Sequence, residues 1–550
     1  MDRIKILVVA LLFFFPSLSF SASYYVDSAV ETSGNGAAWA TAWKAISDIT
    51  GLAAGDTVYF SGGTSGKSHT ISDWTPAGGT KANPIIYAAG LDANHNGMVT
   101  FTGTGNFVAG TLTGVTITGE KSGAINLTIS SGYTNTVYSD TGATDGFKLL
   151  YANFTAAIWG RGGGYEIAYC SGIAPLSMGA EDSYIQHVGD GGTAAWGYNS
   201  FHHNYIQVWR NKTAGQGQDA LKWCDNIDIY NNTFISTYSA SYTGTQHNDG
   251  IQTNGNYMRI YNNYYENFIS YPIYNEMYGN TTAWRIYNNV IYATESGVDW
   301  GAYACMALGW SEAGIITDYI VSNNTCVGPT DTRPGIDLAG GVSGGSIGAG
   351  VYLVNNLSYN SGDTASHVAG ATLSNNYGGT ANITFTNLSA YPTGDFHPEV
   401  GSSAVIGQGI RPSYLTDVYT TDKAGSDRGQ VWDIGAYEAE PTNPDPDYTL
   451  TVTKTGTGTG TVTSSPAGIS CGATCTYDFD DDTEVTLNAT ATSPNYFAGW
   501  SGAGCSGTGT CVVTMSEARA VTATFSLYGT MTAGSGGSIV SGAGGSITVP

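Results

Sequence analysis

The chain is long and sparsely charged: of 550 residues only 11% are charged, yet the formal net charge is −24. That acidity argues against nucleic acid and anionic membranes as partners, and an acidic polymer would need a cation bridge or a local basic patch to bind. Gly at 76 positions and Tyr at 37 suit a turn-rich β protein, and no later stretch approaches the roughly 18 apolar residues of a spanning helix, so no transmembrane segment is expected.

The first element, residues 1–21, reads as a signal peptide. Arg3 and Lys5 form a basic start, Ile6–Phe15 is apolar, and Ser19-Phe20-Ser21 offers small residues for cleavage before Ala22. A secreted or cell-surface bacterial protein is therefore expected. Residues 22–438 read as one solenoid with an N-terminal cap and a closing segment. In the cap, the spacing of Trp39, Trp43 and Ile46 predicts a short amphipathic helix, suited to covering the exposed first coil of a solenoid. Asp92-Ala93-Asn94-His95-Asn96-Gly97 matches the first half of an EF-hand calcium loop. Its twelfth position is Gly103 instead of Glu, so a plain Asn/Gly turn is the simpler reading.

One phrase then returns: NIDIYNNTF at 226–234, YMRIYNNYY at 257–265, AWRIYNNVI at 283–291, DYIVSNNTC at 318–326 and GVYLVNNLS at 350–358. Its first asparagines, Asn231, Asn262, Asn288, Asn323 and Asn355, are spaced by 31, 26, 35 and 32 residues. A drifting period of that size marks stacked repeats. Alternating apolar residues before each Asn-Asn predict one short strand per phrase. Asn tolerates the left-handed bend that ends such a strand, and stacked asparagines can pair through their amides as a ladder. The repeat resembles the right-handed parallel β-helix of pectate lyases and related polysaccharide-acting proteins. That resemblance implies an all-β fold, a right-handed parallel β-helix with a cap. The DRGQVWDIGAYE ending resembles the closing segment of exported β-helix proteins and is expected to cover the last coil.

Counting back from each Asn-Asn, Asp190, Asp219, Asp249, Glu276 and Glu312 stand 14, 12, 13, 12 and 11 residues earlier. Carboxylates stacked on adjacent coils, about 4.8 Å apart, repel one another unless a cation or raised pKa values relieve them. Ca²⁺, which takes several oxygen ligands, is the cation expected there. GQDALKW (217–223) superposes on HNDGIQT (247–253), pairing Asp219 with Asp249 and Lys222 with Gln252. The first segment resembles the Asp-Gly-x-x-Lys of calcium-dependent pectate lyases that use a lysine base, with Ala220 in place of Gly. That resemblance implies Lys222 as base and Asp219, Asp249, Glu276 and Asp225 as metal ligands. Substrate contacts are expected from His247, Gln252, Arg259, Arg285 and Trp223; the arginines suit carboxylates, and Trp209, Tyr271, Tyr274 and Trp310 offer further rings for stacking.

Other readings compete. Hydrolysis would use two acids one coil apart as acid and base, with His247 nearby, although HNDGIQ matches the polygalacturonase pattern only loosely. Uronate epimerisation shares the C5 proton abstraction. A non-catalytic glycan-binding or adhesin-like surface protein is the third possibility. In the plainest reading, Asp-Gly and Asn-Asp are turn formers and Lys222 only pairs with Asp219 or Asp225.

Ala439–Asp447 is a Pro/Asp linker. Residues 448–526 carry short strands with Gly turns, hence a small C-terminal β domain. The close pairs Cys471/Cys475 and Cys505/Cys511 read as two disulfides in an exported chain, with a zinc site as the alternative. FAGWSGAGCSGTGTC resembles bacterial internalin-type B repeats, which implies cell-surface association. The Gly/Ser-rich tail 527–550 is given no fold.

Overall fold

The computed structural model describes residues 21–527 apart from 175–182, 189–198, 212–215, 243–247, 269, 277–278, 294–303, 311–313, 329–334, 339–344, 361–364, 367, 412–419, 430, 440–447, 473–474 and 480–482. The segment expected as a signal peptide (up to residue 20), the tail from 528, His247, Asp190 and Glu312 lie outside these residues. The chain forms two compact units, Met1–Ala439 and Glu440–Pro550.

The larger unit is a parallel β-helix, with three long sheets of 14, 13 and 10 strands. One coil supplies Ile227–Tyr230 to sheet 1, Thr233–Tyr238 to sheet 2 and Ile251–Thr253 to sheet 3; the next supplies Met258–Tyr261, Tyr264–Glu266 and Ile273–Glu276. Each strand pairs in parallel with its counterpart one coil on. The period-2 alternation of the sequence thereby becomes inward columns. These are Ile229-Ile260-Ile286-Val321-Leu353 in sheet 1, Phe234-Tyr265-Ile291 in sheet 2 and Leu221-Ile251-Ile273-Met306-Ile336 in sheet 3. All are buried in one continuous core, each side chain contributing about 1.5–3 kcal/mol of apolar burial.

The two asparagines of each phrase divide the work at the corner between sheets 1 and 2. The first takes the left-handed conformation: φ is 54° at Asn231, 56° at Asn262, 54° at Asn288, 51° at Asn323 and 55° at Asn355. The second builds the ladder. Nδ2 of Asn204, Asn232, Asn263, Asn289 and Asn324 donates to Oδ1 of Asn232, Asn263, Asn289, Asn324 and Asn356 respectively, at 2.9–3.1 Å. Each Oδ1 also accepts the backbone N–H of the asparagine below it. Buried corner backbone thus keeps its partners without water.

The N-terminal cap corrects one expectation. Trp39–Thr41 and Ile46–Asp48 are single 3₁₀ turns, and no amphipathic α-helix forms. Trp43 is instead drawn into an extended pairing with the first strand, donating its N–H to Tyr25 O and accepting from Asp27 N, both at 2.9 Å. The Asp92–Gly97 loop is a packed turn. Trp39 Nε1 donates to Asp92 Oδ2, Lys121 Nζ to Asn96 O at 2.7 Å, and Asn126 Nδ2 to Asn96 O and Gly97 O. Asp92 Oδ2, Asn96 O and Gly97 O thus already serve the protein.

The closing segment departs from expectation too. It runs along the outer face of sheet 2 and meets the last coil from the side, where Asn375 Nδ2 donates to Gln408 O at 2.7 Å and Tyr377 joins the same cluster. Ile383, Phe385, Phe396, Val405, Ile434 and Ala436 pack on the outward-facing Tyr264, Val290, Tyr292, Val327 and Leu357. Tyr391 N–H donates to Glu266 Oε2 (2.8 Å), Tyr292 Oη to Leu388 O (3.2 Å) and Arg428 Nη2 to Asn288 Oδ1 (2.9 Å). An outward row of apolar residues on a strand needs a cover, and this segment is that cover.

The smaller unit has a five-stranded and a three-stranded sheet over Tyr448–Leu527, closed on its own core of Leu450, Val452, Val485, Leu487, Trp500, Val521 and Phe525. Cys471–Cys475 and Cys505–Cys511 are disulfides. A third bridge, Cys305–Cys326, joins two cysteines of the solenoid, while Cys170 and Cys224 are buried thiols.

Candidate functional site

With sheet 2 covered from Tyr264 to Leu357, the outward residues of sheets 1 and 3 come next. Sheet 1 carries His202, Tyr230, Tyr261 and Tyr287 in one register column. Their rings stack at 4.6, 4.9 and 4.8 Å with interplanar angles of 11°, 4° and 9°. Rings stacked that flat cover one another's faces. Arg259 and Arg285 stand on this sheet as well, in register with each other on successive coils. Arg259 makes a two-pronged pair with Asp228, Nε donating to Oδ1 at 2.7 Å, and Arg285 binds Asp318 through Nη2 at 2.9 Å. Lys222 is on sheet 3. The arginines therefore stand on a different wall from it, and they do not join one cluster.

Sheet 3 carries the register predicted for the lysine. Lys222 pairs with Gln252, and on the preceding coil with Gln186. This outward column continues through Trp159 on one side and Tyr274 on the other. The lysine side chain is sandwiched between two amides and is only 7% exposed. Its Nζ lies 3.9 Å from Asp219 Oδ2 and 4.9 Å from the centre of the Trp223 ring, a cation over an aromatic face. Gln252 Nε2 donates to Glu276 Oε2 at 2.5 Å. Beyond it, Tyr271 and Tyr274 (5.0 Å between centres) and Trp310 form a small aromatic cluster, and Trp310 Nε1 donates to Asp337 Oδ2 at 3.2 Å. Trp209 lies elsewhere, on sheet 2.

The acids are not one column. Asp219 and Asp249 are fully buried, and their inner oxygens serve the backbone of the next coil: Asp219 Oδ1 accepts Asp249 N–H and Asp249 Oδ1 accepts Tyr271 N–H, both at 2.8 Å. Glu276 sits farther along its strand, in register with Trp310. Asp225 lies in the turn toward sheet 1, where its Oδ1 accepts the N–H groups of Asn226 (3.0 Å) and Asn256 (2.7 Å). Among the described residues no three His, Cys, Asp or Glu side chains come together as a metal set. These donors do not fit a shared calcium ion, because Ca²⁺ takes six to eight oxygens free to turn toward it. Asp219 and Asp249 are equally ill placed as an acid–base pair, since neither presents surface to a substrate.

Sequence reasoning missed what lies beside Lys222. At the corner from sheet 3 to sheet 1, Trp159, Arg161, His187, Trp223, Cys224, Asp225, Asn254, Gly255 and Asn256 line a cleft of about 490 Å³. Trp159, His187 and Trp223 follow one another on successive coils at 4.6 and 4.9 Å, tilted by 41° and 39°. His187 and Trp223 hold left-handed backbone, φ 59° and 51°. Bulky side chains rarely take that conformation, and where they do, the surroundings over-determine it. Arg161 pairs with Asp140 at 3.1 Å. The cleft adjoins the lysine without including it, and Trp223 is the residue common to both.

Neither a family model nor a curated protein matches the sequence. Among solved structures, the chain is similar to the pectate lyase Pel9A, at 15% identity over 77% of this chain and 98% of that one, with a TM-score of 0.34. A rhamnogalacturonan lyase aligns at 14% identity over 69% and 96%, TM-score 0.37. PfbA, a surface adhesin of Streptococcus pneumoniae, aligns at 10% over 60% and 86%, TM-score 0.26.

Proposed function

We propose that the chain is an exported protein that binds an acidic polysaccharide along the outer face of sheet 3 and cleaves it by β-elimination. The observation that carries this reading is Lys222 between Gln186 and Gln252, with its amine over Trp223 and an aromatic-walled cleft alongside. On neighbouring coils, the outward residues of sheet 2 from Tyr264 to Leu357 are covered by the closing segment, and on sheet 1 Arg259 and Arg285 are ion-paired beside the stacked tyrosine column. Lys222, in its unprotonated form, takes the C5 proton of a uronate. The electron pair left on C5 forms the C4–C5 double bond, the C4–O bond breaks, and the departing glycosidic oxygen takes up a proton. Flanking amides offer N–H groups to the uronate carboxylate as charge builds beside it. The reaction so described needs no calcium ion, and Asp219, Asp249 and Asp225 are engaged by backbone N–H groups instead. The smaller unit, with its two bridges, serves in this reading as a module for association with the cell surface.

Non-catalytic glycan binding is the second reading, favoured by how little of Lys222 is exposed. Purified protein mixed with polygalacturonate or alginate, with Ca²⁺ and with a chelator, separates the two. β-Elimination gives a rise in unsaturated-uronate absorbance that Lys222→Ala loses by a factor of about 10² or more. Retention of either polymer on an affinity gel with no absorbance change would leave a binding protein, and new reducing ends without absorbance would indicate hydrolysis.

A further inference from the structure

The corner cleft differs in chemistry from the lysine beside it. Its charged lining groups are Arg161 and Asp225, which cancel, and Arg161 already answers Asp140. Asp225 is fixed in the wall by the two backbone N–H groups it accepts. A second carboxylate brought into the cleft would meet that acid without a surplus cation to hold it. What the cleft does offer is ring faces and amides. Trp159, His187 and Trp223 are splayed by about 40°, whereas the sheet 1 stack is nearly flat, so here the faces are not sealed against one another. Asn254 adds an amide that both donates and accepts, the pairing that hydroxyls need, and Asn256, whose Oδ1 accepts the Thr282 N–H at 2.9 Å, adds its amide N–H groups. The Trp159 indole N–H is buried with no hydrogen-bond partner among the described residues. About 490 Å³ lies within the size range of small-ligand pockets, enough for one or two sugar rings.

We infer that this cleft is a subsite for a neutral sugar, carried on the same glycan chain whose uronate lies at Lys222; the inference rests on the glycan-binding reading of sheet 3. Because Trp223 both underlies the lysine ammonium and lines the cleft, neighbouring units of one chain would meet the two environments in turn. The preferred polymer is then one in which neutral sugars stand beside uronic acids, and a pure polyuronate is second best.

The test is calorimetric binding of the full chain to three polymers: polygalacturonate, a neutral galactan, and a polysaccharide alternating uronate with neutral sugar. The alternating polymer is expected to bind on the order of tenfold tighter than polygalacturonate, the factor supplied by one good additional contact. Trp159→Ala, or Asn254→Trp, which puts a bulky ring on an exposed residue of the cleft lining, is expected to close that gap, and Lys222→Ala to weaken both acidic polymers. Equal wild-type affinity for the two acidic polymers, or a gap that survives Asn254→Trp, overturns the neutral subsite while leaving the lysine reading intact. Indifference of all three polymers to Lys222→Ala overturns both.

Discussion

At residue scale, the acids around Lys222 show how one side chain can be read in two ways. In the sequence, Asp219 and Asp249 one coil apart look like paired metal ligands. In the fold, each hands an oxygen to the backbone N–H of the following coil, so the like charges are spread across backbone donors and need no shared cation. Truncating Asp249 would orphan the Tyr271 N–H in a buried setting. Asp249→Ala is therefore expected to lower unfolding free energy by about 3 kcal/mol, with a smaller loss for Asp249→Asn, which keeps the acceptor. Urea titration of both variants measures this, and repeating it in EDTA separates the two roles. A carboxylate serving the backbone gives the same midpoint with or without chelator. A midpoint that falls in EDTA for the wild type but not for Asp249→Asn would restore the metal reading.

At the scale of the strand and corner, the five Asn-Asn phrases placed five strands of sheet 1 and named the corner, because the left-handed bend and the ladder both depend on residue type. Asn263 shows the second job: its Oδ1 accepts the N–H and amide of Asn232, and its Nδ2 donates to Ile229 O and Asn289 Oδ1. Asn263→Ala should cost about 4 kcal/mol, since several buried partners lose their mates at once. Asn262→Gly should stay within about 1 kcal/mol, as glycine accepts the left-handed φ freely. Equal losses in thermal unfolding would mean that bend and ladder had been wrongly separated. The same phrase was a poor ruler for sheet 3. Lys222, Gln252 and Tyr274 share a register position, yet their distances to Asn231, Asn262 and Asn288 differ, because the strand before Asn288 begins earlier, at Thr281. Counting back from the corner therefore put Glu276 in the wrong column. Arg259 and Arg285, three residues before their asparagines, are close enough to the corner for the count to assign them to sheet 1. The cleft was illegible for another reason: its aromatics come from three coils whose turns share no phrase.

Across the whole molecule, the two units keep their structure by different means. A solenoid is stabilised by each coil's contact with its neighbours, and here the closing segment adds a side strap reaching from Glu266 to Leu357. The smaller unit has a modest core, of a size at which burial alone leaves little margin. Its bridges span only 4 and 6 residues, so each removes limited chain entropy, about 2 kcal/mol. In a domain this small, that still amounts to roughly 10 °C in melting temperature. Replacing Cys505 and Cys511 by serine should therefore pull down one calorimetric transition by about that much and leave a second, larger one where it was. Replacing Cys305 and Cys326 should do the converse, lowering the larger transition alone. If either replacement moved a single shared transition, the chain would unfold as one body, and the two cores would have to be treated as one.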